Sequence, residues 1–265
     1  MKKILILMVA AMIGITASAQ YKAPQIIAHR GFHKSEGAAR NSLNALKAAQ
    51  EAKFWGSECD LQLTKDGEVL VVHGPYHPGT KGAKPKVNVN KSTKEDVQAI
   101  LLESGETVPT FDEYCQQAAK SKGTKLIIEV KNQPTPQLET ELVQKAVEMV
   151  AKYNLQNDVE YIAFRPWVCW EIARLAPEGT KIAYLNGDYS PQYCKAMGCQ
   201  GIDYYYKVLK KKKGWIKQAH KLGMYVNVWT VDKEEDIRWC IQNGVDYITT
   251  DDPMLVKQII EEMCK

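Results

Sequence analysis

Three acidic residues have the spacing expected of a metal site at the end of a sheet. Glu58 and Asp60 are two residues apart in an apolar, strand-like run, so their side chains share one face. Glu129 ends a second apolar run, and carboxylates gathered from such strand ends would repel one another. A hard divalent cation, Ca²⁺ or Mg²⁺, removes that repulsion by taking oxygen ligands. The alternative is that these acids lie on the surface or form ion pairs with Arg30 and Lys131.

Two histidines lie where they could transfer protons beside these acids. His29 ends the first apolar run of the chain, and His73 ends a later one. Histidine titrates near neutral pH and can act as a general acid or base, although a single histidine more often has a structural role. Arg30, next to His29, offers a forked donor for a phosphate. These residue types together indicate an anionic, phosphate-like substrate. The histidines assigned neither proton-transfer role are His33, His77 and His220.

Eight β-rich runs alternate with amphipathic segments along the chain. Alternating strands and helices predict parallel βα units, and eight such units predict an α/β fold of the closed (β/α)8 type, a TIM barrel. Catalytic groups of this fold lie at the carboxyl ends of the strands, which is where the acids and histidines fall. The predicted strands are Gln25–His29, Trp55–Leu63, Lys125–Lys131, Val159–Phe164, Lys181–Leu185, Gly201–Tyr206, Tyr225–Thr230 and Asp246–Thr250. The clearest helical segments are Ser42–Lys53, Phe111–Ser121, Gln137–Tyr153, Gly214–Leu222 and Lys233–Asn243.

One segment breaks this alternation. Asp66-Gly67 separates the second strand from Val69–His73, and Asp-Gly between β-rich runs is typical of a hairpin. A hairpin joins antiparallel strands, whereas parallel neighbours need a long crossover. We therefore predict an insertion at about residues 61–110, after the second strand, whose middle is rich in Gly, Pro and Lys.

The polar segments resemble the glycerophosphodiester phosphodiesterases, a family of phosphatidylinositol-phospholipase-C-like TIM barrels. His29-Arg30-Gly31, the Glu-x-Asp strand and the later histidine form a specific combination, although each alone is weak. The resemblance extends over almost all of the chain beyond its first residues. Its segments are His29-Arg30-Gly31, Glu58 to Gly67, Val71-Val72-His73, Glu129-Val130-Lys131, Val228-Trp229-Thr230-Val231 and Thr249-Thr250-Asp251.

The resemblance implies an activity and a set of roles. The activity is metal-dependent hydrolysis of glycerophosphodiesters to glycerol 3-phosphate and an alcohol. Glu58, Asp60 and Glu129 would bind the divalent cation, while His29 and His73 would form the acid–base pair. The implied substrate-binding residues are Arg30 and Lys131 at the phosphate and Trp229 on the glycerol side. The nucleophile is either water or the neighbouring glycerol hydroxyl.

Two positions depart from the family pattern. Members usually carry Pro-Glu-Asn-Thr after the His-Arg-Gly loop, but here the glutamate is replaced by Arg40, which changes the charge near the phosphate. Asn41 is retained, and either Asn41 or Ser42 could cap a helix. The usual His-Asp-Pro reads His73-Gly74-Pro75, so the aspartate is absent. These departures keep two other interpretations open, a lysophospholipase-D-like lipid phosphodiesterase and a non-catalytic binder of phosphorylated polyols.

The first 19 residues have the pattern of a secretory signal peptide. Lys2 and Lys3 precede an apolar run, and the small residues Ala17-Ser18-Ala19 follow it. The alternative is a membrane anchor, although the run is short for spanning a bilayer. We therefore expect a periplasmic or secreted protein whose barrel domain begins at Gln20 and continues to residue 265.

Composition and cysteine spacing add further expectations. The 265 residues include 35 basic and 31 acidic side chains, a formal charge of +4 that does not argue for nucleic acid. The expected partner is a small-molecule glycerophosphodiester, with no stable membrane insertion. The seven cysteines show no metal-binding spacing, and the one pair close enough in sequence to suggest a disulfide is Cys194 and Cys199.

Overall fold

The computed structural model, which describes residues 21–79 and 84–264, shows a closed barrel of eight parallel strands. The barrel strands are β1 (Gln25–Ala28), β2 (Gly56–Leu63), β6 (Lys125–Val130), β7 (Val159–Ala163), β8 (Ile182–Tyr184), β9 (Gly201–Tyr205), β10 (Tyr225–Trp229) and β11 (Tyr247–Thr250). The short strands β3 (Val69–Val71), β4 (Tyr76–His77) and β5 (Val87–Asn88) lie outside the ring. β1 pairs with both β2 and β11, which closes the barrel. The predicted (β/α)8 fold is confirmed, and no predicted strand end differs by more than one residue.

Helices return the chain from the carboxyl end of each barrel strand to the amino end of the next. The helices are α1 (Leu43–Glu51), α2 (Lys94–Gln98), α3 (Phe111–Ala118), α4 (Pro136–Lys152), α5 (Pro166–Leu175), α6 (Pro191–Ala196), α7 (Tyr206–Lys211), α8 (Trp215–Lys221), α9 (Glu234–Gln242) and α10 (Pro253–Met263). The first helix after each barrel strand therefore begins on the face of the barrel that carries the strand carboxyl ends, here called the mouth, whereas α2 belongs to the segment between β2 and β6 and α8 follows α7 in one connection.

The strands are buried on both faces, which explains their nearly continuous apolar runs. Inside the barrel, Ile27, Ile127, Ile162 and Leu185 fill one small cluster. The outward-facing strand residues join the helices in a larger cluster that contains residues such as Leu126. Buried polar side chains occur at both ends of the strands, as with Glu160 near the start of β7 and Glu129 near the end of β6.

The segment after β2 is an insertion beside the mouth. β3 pairs antiparallel with β2, with Leu61 opposite Val71, so the predicted hairpin is confirmed. The next parallel neighbour of β2 is β6, and the chain between them forms a small core of its own around Leu70 and Val97. The domain limits of 20–265, with an insertion at about 61–110, stay predictions.

The predicted signal peptide, residues 1–19, lies outside the described residues. Within residues 21–79 and 84–264, no helix is both long and apolar enough to cross a bilayer.

Candidate active site

The three predicted metal ligands converge at the mouth. Glu58, Asp60 and Glu129 are buried, and each offers a carboxylate oxygen within 4.8 Å of the others. Asp60 and Glu129 lie opposite each other on the paired strands β2 and β6, and Glu58 is on the same face two residues earlier. The Oε1 atom of Glu58 is buried and has no hydrogen-bond partner among the described residues. A buried carboxylate oxygen without a partner, next to two further carboxylates, fits a hard divalent cation.

Two positively charged side chains, Arg30 and Lys131, also contact these carboxylates. The acids therefore form ion pairs, as the alternative interpretation of the sequence predicted, and they also have the arrangement of a metal site. Lys131 Nζ lies 2.7 Å from Glu129 Oε1 and 3.3 Å from Asp60 Oδ1. Arg30 Nε lies 3.2 Å from Asp60 Oδ2. Burial raises the pKa of Asp60, but Lys131 and Arg30 outweigh it and hold that pKa well below its usual value. The pKa of Lys131 is lowered by burial but raised overall by Glu129 and Asp60.

The other two carboxyl groups are less well compensated. Burial, followed by the charges of Asp60 and Glu129, raises the pKa of Glu58 well above its usual value. Burial raises the pKa of Glu129 to about 7, although Lys131 opposes this rise. Glu129 therefore binds a proton readily near neutral pH when no cation is present, and Glu58 is protonated more easily than an ordinary glutamate.

His29 is oriented by a carboxylate from the last strand. Its Nδ1 lies 2.7 Å from Asp251 Oδ1, so Nδ1–H donates to the carboxylate, and its Nε2 lies 4.0 Å from Glu58 Oε2. His33 Nε2 lies 3.1 Å from the same Asp251 oxygen, and Arg40 lies 3.5 Å from the other. Burial raises the pKa of Asp251, but the hydrogen bonds from His29 and His33 lower it by a larger amount. The pKa of Asp251 is therefore below its usual value, and the group is ionised at neutral pH.

His73 faces the same space from the hairpin. It is exposed to the cleft at the mouth, and its ring has no hydrogen-bond partner among the residues that the structure describes. Desolvation by the surrounding protein lowers the pKa of His73 to about 4, and the nearby Lys131 and Arg30 add to this effect while Asp60 opposes it. His73 is therefore neutral near neutral pH and able to accept a proton.

Steric crowding explains why a glycine, Gly74, follows His73. Gly74 has φ of +54°, and a Cβ atom there would lie 2.4 Å from Nε2 of Gln62. An aspartate at this position would need both a strained backbone and a displaced Gln62. The chain therefore carries glycine where the family pattern has aspartate, and its His73 ring is held without that neighbour.

The loop after β1 positions both Arg30 and Asp60. The backbone N–H of Arg30 donates to Glu58 Oε2 at 2.8 Å. Asn41 donates from Nδ2 to Asp60 Oδ2 at 2.8 Å and accepts from the Asp60 backbone N–H at 3.2 Å. Ser42, rather than Asn41, is the N-cap of α1. Asn41 therefore fixes a proposed metal ligand instead of capping the helix.

Trp229 forms the opposite wall of the mouth. Its Nε1–H donates to the Asp203 carbonyl at 2.9 Å, and its ring packs edge-on against Phe164 with centroids 5.6 Å apart. Lys131 Nζ lies 5.9 Å from the centre of the Phe164 ring. Phe164 therefore links Trp229 to the acidic cluster. Tyr205 also packs against Trp229, with ring centroids 5.6 Å apart.

A cleft of about 770 Å³ opens between the mouth and the insertion. His29, Arg30 and His73 line it together with Arg40 and Asp251. The insertion contributes the apolar side chains on the outer part of the cleft, which are Tyr76, Pro78, Leu101 and Leu102. A group bound at these candidate catalytic residues could therefore extend outward between the barrel and the insertion.

Some of these relationships were not predicted from the sequence. Asp251 was part of a matching motif but had no assigned role, and His33 was set aside as a loop residue. The Cys194–Cys199 disulfide that the spacing only suggested is not formed, since both thiols are free and Cys194 Sγ lies 3.1 Å from the Tyr204 hydroxyl. His77 is buried and donates to the Ile100 carbonyl at 2.8 Å, which is a structural role.

Comparison with known proteins identifies sequences and structures similar to this chain. Residues 29–255 match the family model described as the glycerophosphoryl diester phosphodiesterase family. A glycerophosphodiester phosphodiesterase of Caldanaerobacter subterraneus subsp. tengcongensis is 27% identical over 246 residues, which cover 89% of this chain and 98% of that protein.

Two solved structures extend the comparison. A glycerophosphodiester phosphodiesterase from Parabacteroides distasonis is 36% identical with a TM-score of 0.86, and the match covers 92% of this chain and 100% of that one. An Oleispira antarctica phosphodiesterase, solved in complex with the product sn-glycerol-3-phosphate, is 21% identical with a TM-score of 0.76. That match covers 90% of this chain and 97% of the other, and at this identity it shows a common fold.

Proposed function

Because this chain belongs to the glycerophosphoryl diester phosphodiesterase family and is thus a phosphoric diester hydrolase, we propose a specific reaction for it. The reaction is metal-dependent hydrolysis of a glycerophosphodiester to glycerol 3-phosphate and an alcohol. The observation that carries the proposal is the convergence of two histidines, one arginine and three buried carboxylates at the mouth.

Glu58, Asp60 and Glu129 would hold the divalent cation, Ca²⁺ or Mg²⁺. Their oxygen donors and the unpartnered Oε1 of Glu58 fit such an ion. When bound, the cation supplies positive charge that neutralises the phosphodiester and stabilises charge growing on its oxygens. Asn41 and Lys131 keep Asp60 and Glu129 in place through the contacts described above.

Arg30 and Lys131 bind the phosphate. Arg30 contacts Asp60 through Nε alone, so its two Nη groups make no hydrogen bond to the described residues and are free to donate to phosphate oxygens. Lys131 lies between Asp60 and Glu129 and adds a buried positive charge near the same position. Trp229 and Phe164 provide the apolar wall against which the glycerol carbons pack.

The two histidines divide the proton transfers. His73 is neutral at neutral pH because of its lowered pKa, so it takes the proton from the nucleophile. Attack by water gives glycerol 3-phosphate directly, whereas attack by the adjacent glycerol hydroxyl gives a cyclic phosphodiester that water must then open to glycerol 3-phosphate. His29 donates from Nδ1–H to the ionised Asp251, whose negative charge lies beside the ring. His29 therefore protonates the leaving alcohol oxygen through Nε2.

A direct assay tests this proposal. Purified protein without residues 1–19 is incubated with glycerophosphocholine or glycerophosphoethanolamine, in Ca²⁺, in Mg²⁺ or in EDTA, and glycerol 3-phosphate is measured. We expect product with at least one cation and none in EDTA. Product in no condition would refute the proposed reaction and favour the binder of phosphorylated polyols, which tight binding of glycerol 3-phosphate without turnover would identify.

A lipid-linked diester is a second candidate substrate. Tyr76 and Leu101 are about half exposed on the outer part of the cleft, where an acyl chain could pack against them. The same assay with lysophosphatidylcholine separates the two classes. Choline release from it, at a rate above that from glycerophosphocholine, would support the lipid substrate.

A further inference from the structure

Exposed large apolar side chains are unevenly distributed over the described surface. Tyr21 precedes β1 and so lies at the end of the barrel opposite the mouth, and the others belong to elements on the mouth side. Tyr76 and Leu101 come from the insertion beside the cleft. The remaining ones follow the carboxyl ends of barrel strands or end one; they are Trp167, Trp170, Tyr193, Tyr205 and Met254. Surface residues placed at random would not favour one end of a barrel in this way.

Several of these side chains form an aromatic rim along neighbouring sectors of the mouth. Trp167 and Trp170, in the first turns of α5, have ring centroids 5.2 Å apart and are 43% and 49% exposed. Tyr193 packs on Tyr189 after the next strand, with centroids 4.4 Å apart. Tyr205 ends the following strand and packs on Trp229 at 5.6 Å. The strands β7, β8 and β9 are neighbours, so these aromatic residues occupy consecutive sectors of the mouth.

A basic segment adjoins this rim. Helix α7 begins directly after Tyr205. Five lysines lie in this helix or in the two residues that follow it; they are Lys207, Lys210, Lys211, Lys212 and Lys213. Lys210 is paired with Asp236, but no ion pair to a described residue neutralises Lys211, Lys212 or Lys213, and all three are exposed. Lys233, which precedes α9, lines one surface hollow together with Lys207, Lys210 and Lys211. The acidic residues that line this hollow are Asp236 and Glu235. The basic segment therefore has more positive charge than its neighbours neutralise.

We propose that this aromatic rim and basic segment together bind the surface of an anionic phospholipid bilayer. Tryptophan and tyrosine combine an apolar ring with a polar group, which suits the boundary between headgroups and acyl chains. Lysines beside such rings are attracted to anionic headgroups. The two features lie on one end of the molecule, so a single flat surface can contact both. A soluble polyanion would need the lysines but would not need the exposed rings.

This binding would turn the catalytic cleft toward the bilayer. The rim borders one side of the mouth that contains His29 and His73, and Tyr205 contacts Trp229 directly. The attachment is peripheral, because it uses side chains on loops and helix starts. Membrane attachment is a property separate from the proposed hydrolysis, because it can be measured without any turnover of substrate.

Vesicle flotation tests the proposal. The protein without residues 1–19 is mixed with vesicles of phosphatidylglycerol and phosphatidylcholine, or of phosphatidylcholine alone, at low and high salt. We expect binding to the anionic vesicles that weakens with salt, and much less binding to neutral ones. The double variant Trp167→Ala/Trp170→Ala and the triple variant Lys211→Glu/Lys212→Glu/Lys213→Glu should each bind at least about tenfold more weakly than the unaltered protein.

Matched variants at the other end of the barrel are the controls. Tyr21→Ala removes an exposed aromatic ring, and Lys120→Glu/Lys122→Glu/Lys221→Glu makes the same charge change at exposed positions before β6 and β10. Both controls should bind like the unaltered protein, and thermal unfolding checks that every variant folds.

Two results would overturn the proposal. One is the absence of binding to anionic vesicles, or equal losses in the rim variants and in the matched controls. The other is strong binding to soluble polyphosphate together with unchanged vesicle binding by Trp167→Ala/Trp170→Ala, which would assign the lysines to a soluble polyanion. Neither result depends on hydrolysis, so both are distinguishable from failure of the proposed reaction.

Discussion

Asp251 joins three groups at the mouth through one carboxylate. Its Oδ1 accepts from His29 and His33, and its Oδ2 lies 3.5 Å from Arg40. The bond to Nδ1 of His29 fixes the ring so that Nε2 faces the acidic cluster. Arg40 and His33 in turn hold the carboxylate, so Asp251 is a positioning residue for His29.

Replacing Asp251 tests this role. Asp251→Asn keeps the shape but removes the charge, so it should lower kcat about 10- to 100-fold with little change in KM. The pH profile should also change, because the negative charge beside the His29 ring is lost. Asp246→Asn is the control, since Asp246 binds His220 at the opposite end of the barrel. A pH profile and kcat equal to those of the unaltered protein would show that Asp251 does not act through His29.

Proton binding at Glu58 and Glu129 predicts pH-dependent metal affinity. Burial raises the pKa of both groups, that of Glu129 to about 7, so the metal-free site holds protons that a cation must displace. Affinity for Mg²⁺ or Ca²⁺ should therefore rise between about pH 6 and about pH 8, by up to about tenfold per pH unit for each proton displaced. Calorimetric titration at several pH values measures this, with the exposed Glu261→Gln variant as control. An affinity that does not vary with pH would contradict the raised pKa values.

At the scale of elements, the loop from β1 to α1 holds the site together by close packing. Gly31 has φ of +77°, and a Cβ atom there would lie 2.6 Å from the Cβ of Ala45 and 2.8 Å from its carbonyl carbon. The backbone N–H of Gly31 also donates to the Glu58 carbonyl at 3.1 Å. These two contacts keep the His29-Arg30 segment against α1 and against β2. Strand β2 carries Glu58 and Asp60, the carboxylates that the segment contacts.

Gly31→Ala should therefore destabilise the protein by more than backbone strain alone. A left-handed conformation costs alanine about 1–2 kcal/mol, and the steric overlap adds about 1–3 kcal/mol. Gly37 is the matched control, because it has φ of +69° but nothing within 4 Å of an added Cβ. Denaturant unfolding of both variants measures the difference. Equal losses would mean that the loop can move away from α1 without cost.

Elements were predictable because their signals are local. The alternation of apolar runs and amphipathic segments predicted both ends of each barrel strand to within one residue. Asp66-Gly67 predicted the hairpin. Glu58 and Asp60 could be placed on one face from their spacing alone. The bond between His29 and Asp251 joins residues 222 positions apart, and nothing local marks it. Arg40 and His33 reach the same carboxylate from a loop whose path depends on Gly31 and Asn41.

At the scale of the whole molecule, the candidate catalytic groups and most of the exposed aromatic rings of the described residues lie on one end, with Tyr21 at the other. The barrel brings strand ends together at the mouth, and the insertion after β2 closes one side of the cleft. We propose that the protein works outside the cytoplasm, a proposal that rests on the signal-peptide pattern of residues 1–19.

Export predicts a defined mature protein. When the full chain is expressed in a bacterium, the exported form should begin at Gln20, as measured by N-terminal sequencing or intact mass. Ala19→Leu places a large side chain at the cleavage site and should block processing. Unprocessed protein recovered entirely from the cytoplasm would contradict the proposed export.

The most direct test of the proposed active site compares single substitutions in the glycerol 3-phosphate assay with the preferred cation. His29→Ala and Glu58→Ala should each lower the metal-dependent rate by at least about 100-fold, because one removes a proton-transfer group and the other a metal ligand. His220→Ala alters an exposed histidine at the opposite end and should leave the rate unchanged. Activity retained by either His29→Ala or Glu58→Ala, in protein that unfolds normally, would contradict the roles proposed here.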